Sequence, residues 1–237
     1  MATPPSVELR VLSYNVRSLR DDRRLLARIV RWCAADVVLV QEAPRFLLPK
    51  TQAAWLARAC GLHVVGGGAA ATGPLILATL GVKVLETRNV LLPRTPGYHQ
   101  RGIALARLQV DGVRFAVGST HLSLDGDERR RQADLVLTHL ADLGEEHRIL
   151  AGDMNEHPGH PAWDHLAARL DDAYAAAPWG REFTSPHRNP WRRIDGIFVS
   201  SEIEVVRCGV PDAFTDAEYE AATDHRPVLA VLRLPAG

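Results

Sequence analysis

The chain has 237 residues, 46% of them hydrophobic and 24% charged. That is an ordinary globular composition, sized for one large domain at about 150 residues per domain as a loose guide. Lys and Arg total 28 and Asp and Glu total 28, so the zero formal charge excludes the global positive field of a high-affinity duplex binder.

Cys33, Cys60 and Cys208 lack C-x-x-C spacing, which argues against a disulfide framework and a zinc knuckle and for a reduced, cytoplasmic setting. No stretch reaches the roughly 20 apolar residues of a membrane span. Met1 to Ser6 lacks the basic and apolar regions of a signal peptide.

Taken in order, Val7 to Asn15 reads as a mostly buried strand with Asn15 at its end. Asp21 or Asp22 caps a helix through Cys33, whose Leu26, Ile29, Val30 and Cys33 recur at helical spacing. Asp36 to Val40 is a short β-branched run closed by Gln41 and Glu42. This first βαβ unit sets Asn15 and Glu42 at equivalent strand ends, where α/β sheets gather binding groups. A helix from about Leu48 to Cys60 and a strand near Leu62 to Val65 follow. Gly66-Gly67-Gly68 lacks a following G-K-[ST] and is read as a hairpin connection, not a phosphate loop.

Leu75 to Leu80 and Val82 to Leu91 are strands, and Pro93 to Gln100 is a loop. Arg101 to Val110 and Val113 to Thr120 form a hairpin through Asp111-Gly112, with His121 at the end of the second strand. Asp125 or Asp127 caps the next helix. Arg148 to Asp153 is an apolar run ending in Gly152-Asp153-Met154-Asn155. On an extended segment the side chains of Asp153 and Asn155 point to one side; an Asx turn is the competing expectation. A short helix over Pro161 to Leu170 precedes an irregular loop, Trp179 to Arg193, that holds His187, Arg188, Trp191 and Arg192. Strands Ile194 to Ser200, Ile203 to Val210 and Pro227 to Leu234 complete the chain. His157, His160 and His165 lack metal-site spacing and are assigned to the surface. With no linker or repeat, residues 1–237 form one domain, with a core of about 7–234. Two mixed sheets packed face to face, helices outside, suit this strand-rich order.

The polar residues at strand ends are Asn15, Glu42, His121, Asp153, Asn155, Asp195, Asp224 and His225. Four carboxylates in one place repel unless a hard cation neutralises them, and Mg2+ or Mn2+ takes such oxygen ligands. An imidazole beside a carboxylate can orient or carry a proton near neutrality.

In sequence order the chain carries Leu12-Ser13-Tyr14-Asn15-Val16, Gln41-Glu42, Arg101-Gly102, Ser119-Thr120-His121-Leu122, Gly152-Asp153-Met154-Asn155, Arg193-Ile194-Asp195-Gly196-Ile197-Phe198 and Thr223-Asp224-His225-Arg226-Pro227-Val228. These resemble the successive motifs of the endonuclease/exonuclease/phosphatase superfamily, whose deoxyribonuclease-like fold is a four-layer α/β sandwich of two mainly antiparallel sheets. The resemblance implies Glu42 as the principal divalent-metal ligand, with Asn15 and Asp224 direct or through water. It implies Asp153 and Asn155 around the attacking water, Asp195 orienting His225, and His121 against the phosphate. Arg101 is left between a brace for the site floor and a phosphate contact, and the base between Asp153 and His225. Gly73 to Ala78 departs from the family's pattern, and Tyr98 is given no catalytic role.

The expected activity is Mg2+- or Mn2+-dependent phosphodiester hydrolysis by in-line attack of water, by a monomer. Nucleic acid ranks first as substrate class. The alternatives are a phospholipid or small phosphorylated metabolite, and a silent scaffold of the same fold.

Overall fold

The computed structural model describes residues 6–186 and 188–236, so His187 lies outside the described residues. The elements are β1 (Ser6–Asn15), α1 (Arg23–Cys33), β2 (Val37–Gln41), α2 (Pro49–Cys60), β3 (His63–Gly67), β4 (Leu75–Ala78), β5 (Lys83–Leu91), β6 (Gly102–Val110) and β7 (Val113–His121). After them come α3 (Gly126–Ala141), β8 (Arg148–Asp153), α4 (Pro161–Ala167), β9 (Asp171–Asp172), α5 (Ala173–Ala176), β10 (Asp195–Val199), β11 (Glu204–Gly209), α6 (Asp216–Ala222) and β12 (Val228–Pro235).

Two six-stranded sheets result, ordered β11-β12-β1-β2-β4-β3 and β5-β6-β7-β8-β10-β9. Among the strands of the described residues, only β1 with β2 and β7 with β8 pair in parallel. The inner faces bury one core, with Leu9, Val11 and Leu39 of the first sheet against Phe115, Val117 and Ile149 of the second. Helices α1, α2 and α6 cover the outer face of the first sheet through Ile29, Leu56 and Tyr219. Helices α3 and α4 cover the second through Val136, Leu140 and Trp163. The four-layer sandwich expected from the sequence is the architecture found. No helix among the described residues is long and apolar enough to cross a membrane.

The capping residues are resolved as Asp22, which accepts from Arg24 N and Leu25 N, and Asp125, which accepts from Glu128 N. The glycine run leads into the connection between antiparallel β3 and β4: Gly66 and Gly67 end β3, and Gly68 opens a 3₁₀ turn. Helix α6, absent from the sequence expectations, starts with a Thr215–Glu218 capping box.

Side-chain alternation positions the site. Along β1 the residues facing the other sheet run Leu9, Val11, Ser13, Asn15; along β2 they run Val37, Leu39, Gln41. In the second sheet the series are Phe115, Val117, Ser119, His121; then Ile149, Ala151, Asp153; then Val199, Ile197, Asp195. Every series turns from apolar to polar at the same end of the sandwich. Beneath that end, Gln41 Nε2 meets Ser119 Oγ at 3.4 Å, and Ser119 Oγ donates to Val40 O at 2.7 Å, tying the sheets together with satisfied polar groups.

Gly152 pairs with Thr120 across β7 and β8, and a Cβ there would lie 2.1 Å from Thr120 O. Gly152→Ala is therefore expected to cost about 1–3 kcal/mol by forcing the strands apart, read as a lowered urea midpoint.

Candidate active site

Asp153 is the hub. It ends β8 opposite His121 on one side and Asp195 on the other. Its Oδ2 accepts from Asn15 Nδ2 at 3.1 Å and lies 3.4 Å from His121 Nε2 and 3.6 Å from His225 Nε2. Its Oδ1 accepts from Asn155 N at 3.0 Å.

That last contact corrects the extended geometry expected for this motif. The strand stops at Asp153, Asn155 is left-handed with φ 50°, and the segment is an Asx turn. Asn155 Nδ2 donates to Leu122 O at 2.9 Å, so the turn is pinned to the end of β7.

Glu42 follows β2 with φ 51°, which swings it out of strand alternation. Its Oε1 accepts from the same Asn15 Nδ2 at 3.2 Å and lies 3.8 Å from His121 Nδ1. One carboxamide thus bridges the carboxylates of Glu42 and Asp153. His225 Nδ1 pairs with Asp195 Oδ2 at 2.8 Å, while Asp195 Oδ1 is buried without a partner among the described residues. Asp224 lies at the edge, with Oδ2 3.2 Å from Arg17 Nε. Thr223 Oγ1 anchors that segment to Asn15 O at 3.1 Å.

A cavity of about 290 Å³ opens onto this cluster, lined by Glu42, Arg101, His121, Asp153, Asn155 and His225 of the expected set. Glu42 and His225, 183 positions apart in the chain, share it. Asn15, Asp195 and Asp224 support it from behind or beside. Ser18, Arg45, Thr72, His99 and Leu124 also line it; sequence reasoning missed them because each arrives on a loop or short turn with no motif of its own. Arg101 forms no ion pair among the described residues, although burial that lowers its pKa is opposed by nearby Asp153 and Glu42. A guanidinium held there unpaired has donors free for an incoming anion.

The two histidines are held in opposite charge states. Burial disfavours the His225 imidazolium, but Asp195 and Asp153 outweigh it and raise the pKa from 6.5 to about 10. For His121 burial wins over Asp153, and the pKa falls from 6.5 to about 3.

The donor set fits a hard cation. Among the described residues no arginine or lysine pairs with Glu42, Asp153 or Asp195, and two of these carboxylates are joined through one carboxamide. Asp153, Asp195 and His225 also present atoms within 4.8 Å of one another. That trio suits a cation less well, because His225 spends Nδ1 on Asp195 and is held protonated, and metal ligation needs a neutral imidazole.

A face-to-face sandwich with carboxylates, histidines and an unpaired arginine at one end defines a hydrolase acting on phosphoric ester bonds. The chain belongs to the Endonuclease/Exonuclease/phosphatase family, whose model matches residues 12–225. No curated protein sequence matches it. Among solved structures it is similar to a family protein from Bacteroides thetaiotaomicron at 22% identity, covering 98% of this chain and 100% of that one with a TM-score of 0.83. A family protein from Bacteroides vulgatus aligns at 21% identity over 96% and 99% of the two chains, TM-score 0.81. A mannosyl-6-phosphatase from Bacteroides thetaiotaomicron VPI-5482 aligns at 22% identity over 94% and 99%, TM-score 0.81.

Protonation of the two rings is directly observable. In protein freed of divalent ions by chelator, the ring nitrogens of His225 are expected to report imidazolium at pH 8, below its pKa of about 10. Those of His121 are expected to report neutral imidazole at pH 5, above its pKa of about 3. Nitrogen-15 NMR of the two rings checks both.

Proposed function

We propose that the protein is a Mg2+- or Mn2+-dependent phosphodiesterase that directs water in line onto phosphorus without a covalent enzyme intermediate. The observation that carries this reading is the single carboxamide of Asn15 bridging Glu42 and Asp153 beside an unpaired arginine.

Glu42 would hold the divalent ion, with Asn15 and Asp224 beside it directly or through water. Bound there, the ion would act as a Lewis acid on the phosphoryl oxygens. Asp153 is the base we favour, because His225 is held protonated and suits donation rather than proton abstraction. Asp195 fixes the His225 tautomer and orientation through its 2.8 Å contact. That leaves Nε2–H directed toward Asp153, from where it can donate to a phosphoryl oxygen. His121, neutral, supplies one further donor, and Asn155 and Arg101 grip the remaining oxygens.

Nucleic acid ranks first as substrate class from the sequence. A specific observation favours the second reading, a phospholipid or small phosphodiester: Leu124, 69% exposed, stands at the cavity mouth, and Phe46, Leu47 and Leu48 follow directly on Arg45. The resemblance to a mannosyl-6-phosphatase is one of fold and leaves diester against monoester to experiment. Free, buried cysteines at 33, 60 and 208 support a reducing, cytoplasmic setting.

The purified protein is expected to cleave a chromogenic aryl phosphodiester with Mg2+ or Mn2+, to stop with chelator and to recover when the ion is restored. Asp153→Ala and His225→Ala should each lower kcat by roughly 10²–10⁴-fold. An active parent with undiminished variants would overturn the assignment. Plasmid nicking that weakens with salt would select nucleic acid, whereas headgroup release with intact plasmid would select lipid.

A further inference from the structure

The zero net charge hides a segregation. From Ala43 to Val110 the chain carries eight arginines and lysines against the one carboxylate of Glu86. The same span contains eight of the twelve large apolar side chains exposed on the described surface. It builds α2 and β3 to β6, including the edge strands β3 and β5, which meet where the two sheets adjoin.

At the active-site end of this half, Phe46, Leu47 and Leu48 are 76%, 88% and 73% exposed. The backbone is built to keep them there. Leu47 and Leu48 take left-handed φ values of 52° and 61°, a conformation that costs energy for a bulky residue. Gln52 Nε2 clamps the loop by donating to Phe46 O at 3.3 Å and Leu47 O at 2.7 Å. Beside the loop, a cavity of about 390 Å³ between α2 and β3 is walled by apolar side chains including Ala53, Val64 and Leu75.

At this apolar tip the Arg45 guanidinium lies over the Phe46 ring and Lys50 lines the adjoining cavity, and neither forms an ion pair among the described residues. Arg45 also lines the active-site cavity, so the tip and the site share a wall. Exposed aliphatic side chains flanked by unpaired cations match an anionic lipid surface, where apolar insertion and charge attraction act together. A second copy of the chain would bring like charges face to face. A nucleic acid would leave the leucines unused, since bases stack on aromatic rings.

We propose that the Phe46-Leu47-Leu48 loop, with Arg45 and Lys50, docks the protein on an anionic phospholipid bilayer with the cavity mouth toward the headgroups. The surface stands independently of which ester is cleaved, though it favours a substrate presented at that bilayer.

The test is co-sedimentation of the full chain with vesicles of phosphatidylglycerol or of phosphatidylcholine. The parent should bind the first, weaken as salt screens the charges, and leave the second unbound. The triple variant Phe46→Ser, Leu47→Asn, Leu48→Asn keeps side chains that tolerate left-handed backbone at 47 and 48. It should bind phosphatidylglycerol roughly tenfold more weakly or worse, as should Lys50→Glu. The triple variant should keep the parent's thermal midpoint and its rate on a soluble aryl phosphodiester.

Absence of parent binding to phosphatidylglycerol, or equal binding by the triple variant, overturns the proposal. So does a parent dimer in solution that the triple variant dissolves, or duplex DNA binding lost in the charge variant while vesicles stay unbound. Sedimentation reads no hydrolysis, so an inactive parent that still binds vesicles would count against the phosphodiesterase reading alone.

Discussion

The site depends on strand register. Five strands from two sheets alternate side chains with period two, and the inward-facing positions carry both the apolar core and the polar cluster. Leu9 and Val11 fix which face of β1 looks inward, and Asn15 inherits that direction. Ile149 and Ala151 do the same for Asp153, and Ile197 and Val199 for Asp195. A slip of one residue would expose the apolar set and turn the carboxylates toward the helices. Core packing therefore enforces the active-site geometry, and hydrogen bonds among the polar residues only refine it.

Concentrating charge at the end of a packed core has an electrostatic consequence. Asp153 and Asp195 are 2% and 1% exposed, a setting in which unpaired carboxylates are costly. The protein offsets part of that cost with the His225 imidazolium and part with the Asn15 carboxamide. It leaves the rest unbalanced, with Asp195 Oδ1 unpartnered and Glu42 open to the cavity. Burial opposes charge on both rings; two carboxylate neighbours overcome it at His225, and at His121 it prevails. Two imidazoles sharing Asp153 thus play different parts, because Asp195 bonds only His225 while Arg101 and Arg45 press against charge on His121.

Legibility in the sequence followed the same physics. Strands with inward alternation were recognisable because their apolar residues repeat at period two and end in a polar residue, as at Asn15, His121 and Asp153. Short elements were not. Helix α6 buries only Tyr219 and Ala222, too few apolar positions to show a period, and its capping box at Thr215 and Glu218 was the only available signal. Asn155 was misread because extended alternation was continued past Asp153, where an Asx hydrogen bond turns the chain. Arg45, Thr72 and His99 reach the cavity through loop conformation, which no periodicity encodes.

The distribution of charge was invisible in totals that cancel. Both sheets contribute their basic strands to one side, since β3 and β5 are the edges at which the sheets meet. The acidic residues of the catalytic cluster come from the rest of the chain, except that Glu42 immediately precedes the basic span. Glu42 is thus the boundary between an acidic pole that suits a cation and a basic flank that suits an anion. A phosphoester entering the cavity would find Arg45 and Arg101 in the same wall as the carboxylates, and their positive charge offsets the repulsion an anion would otherwise meet there.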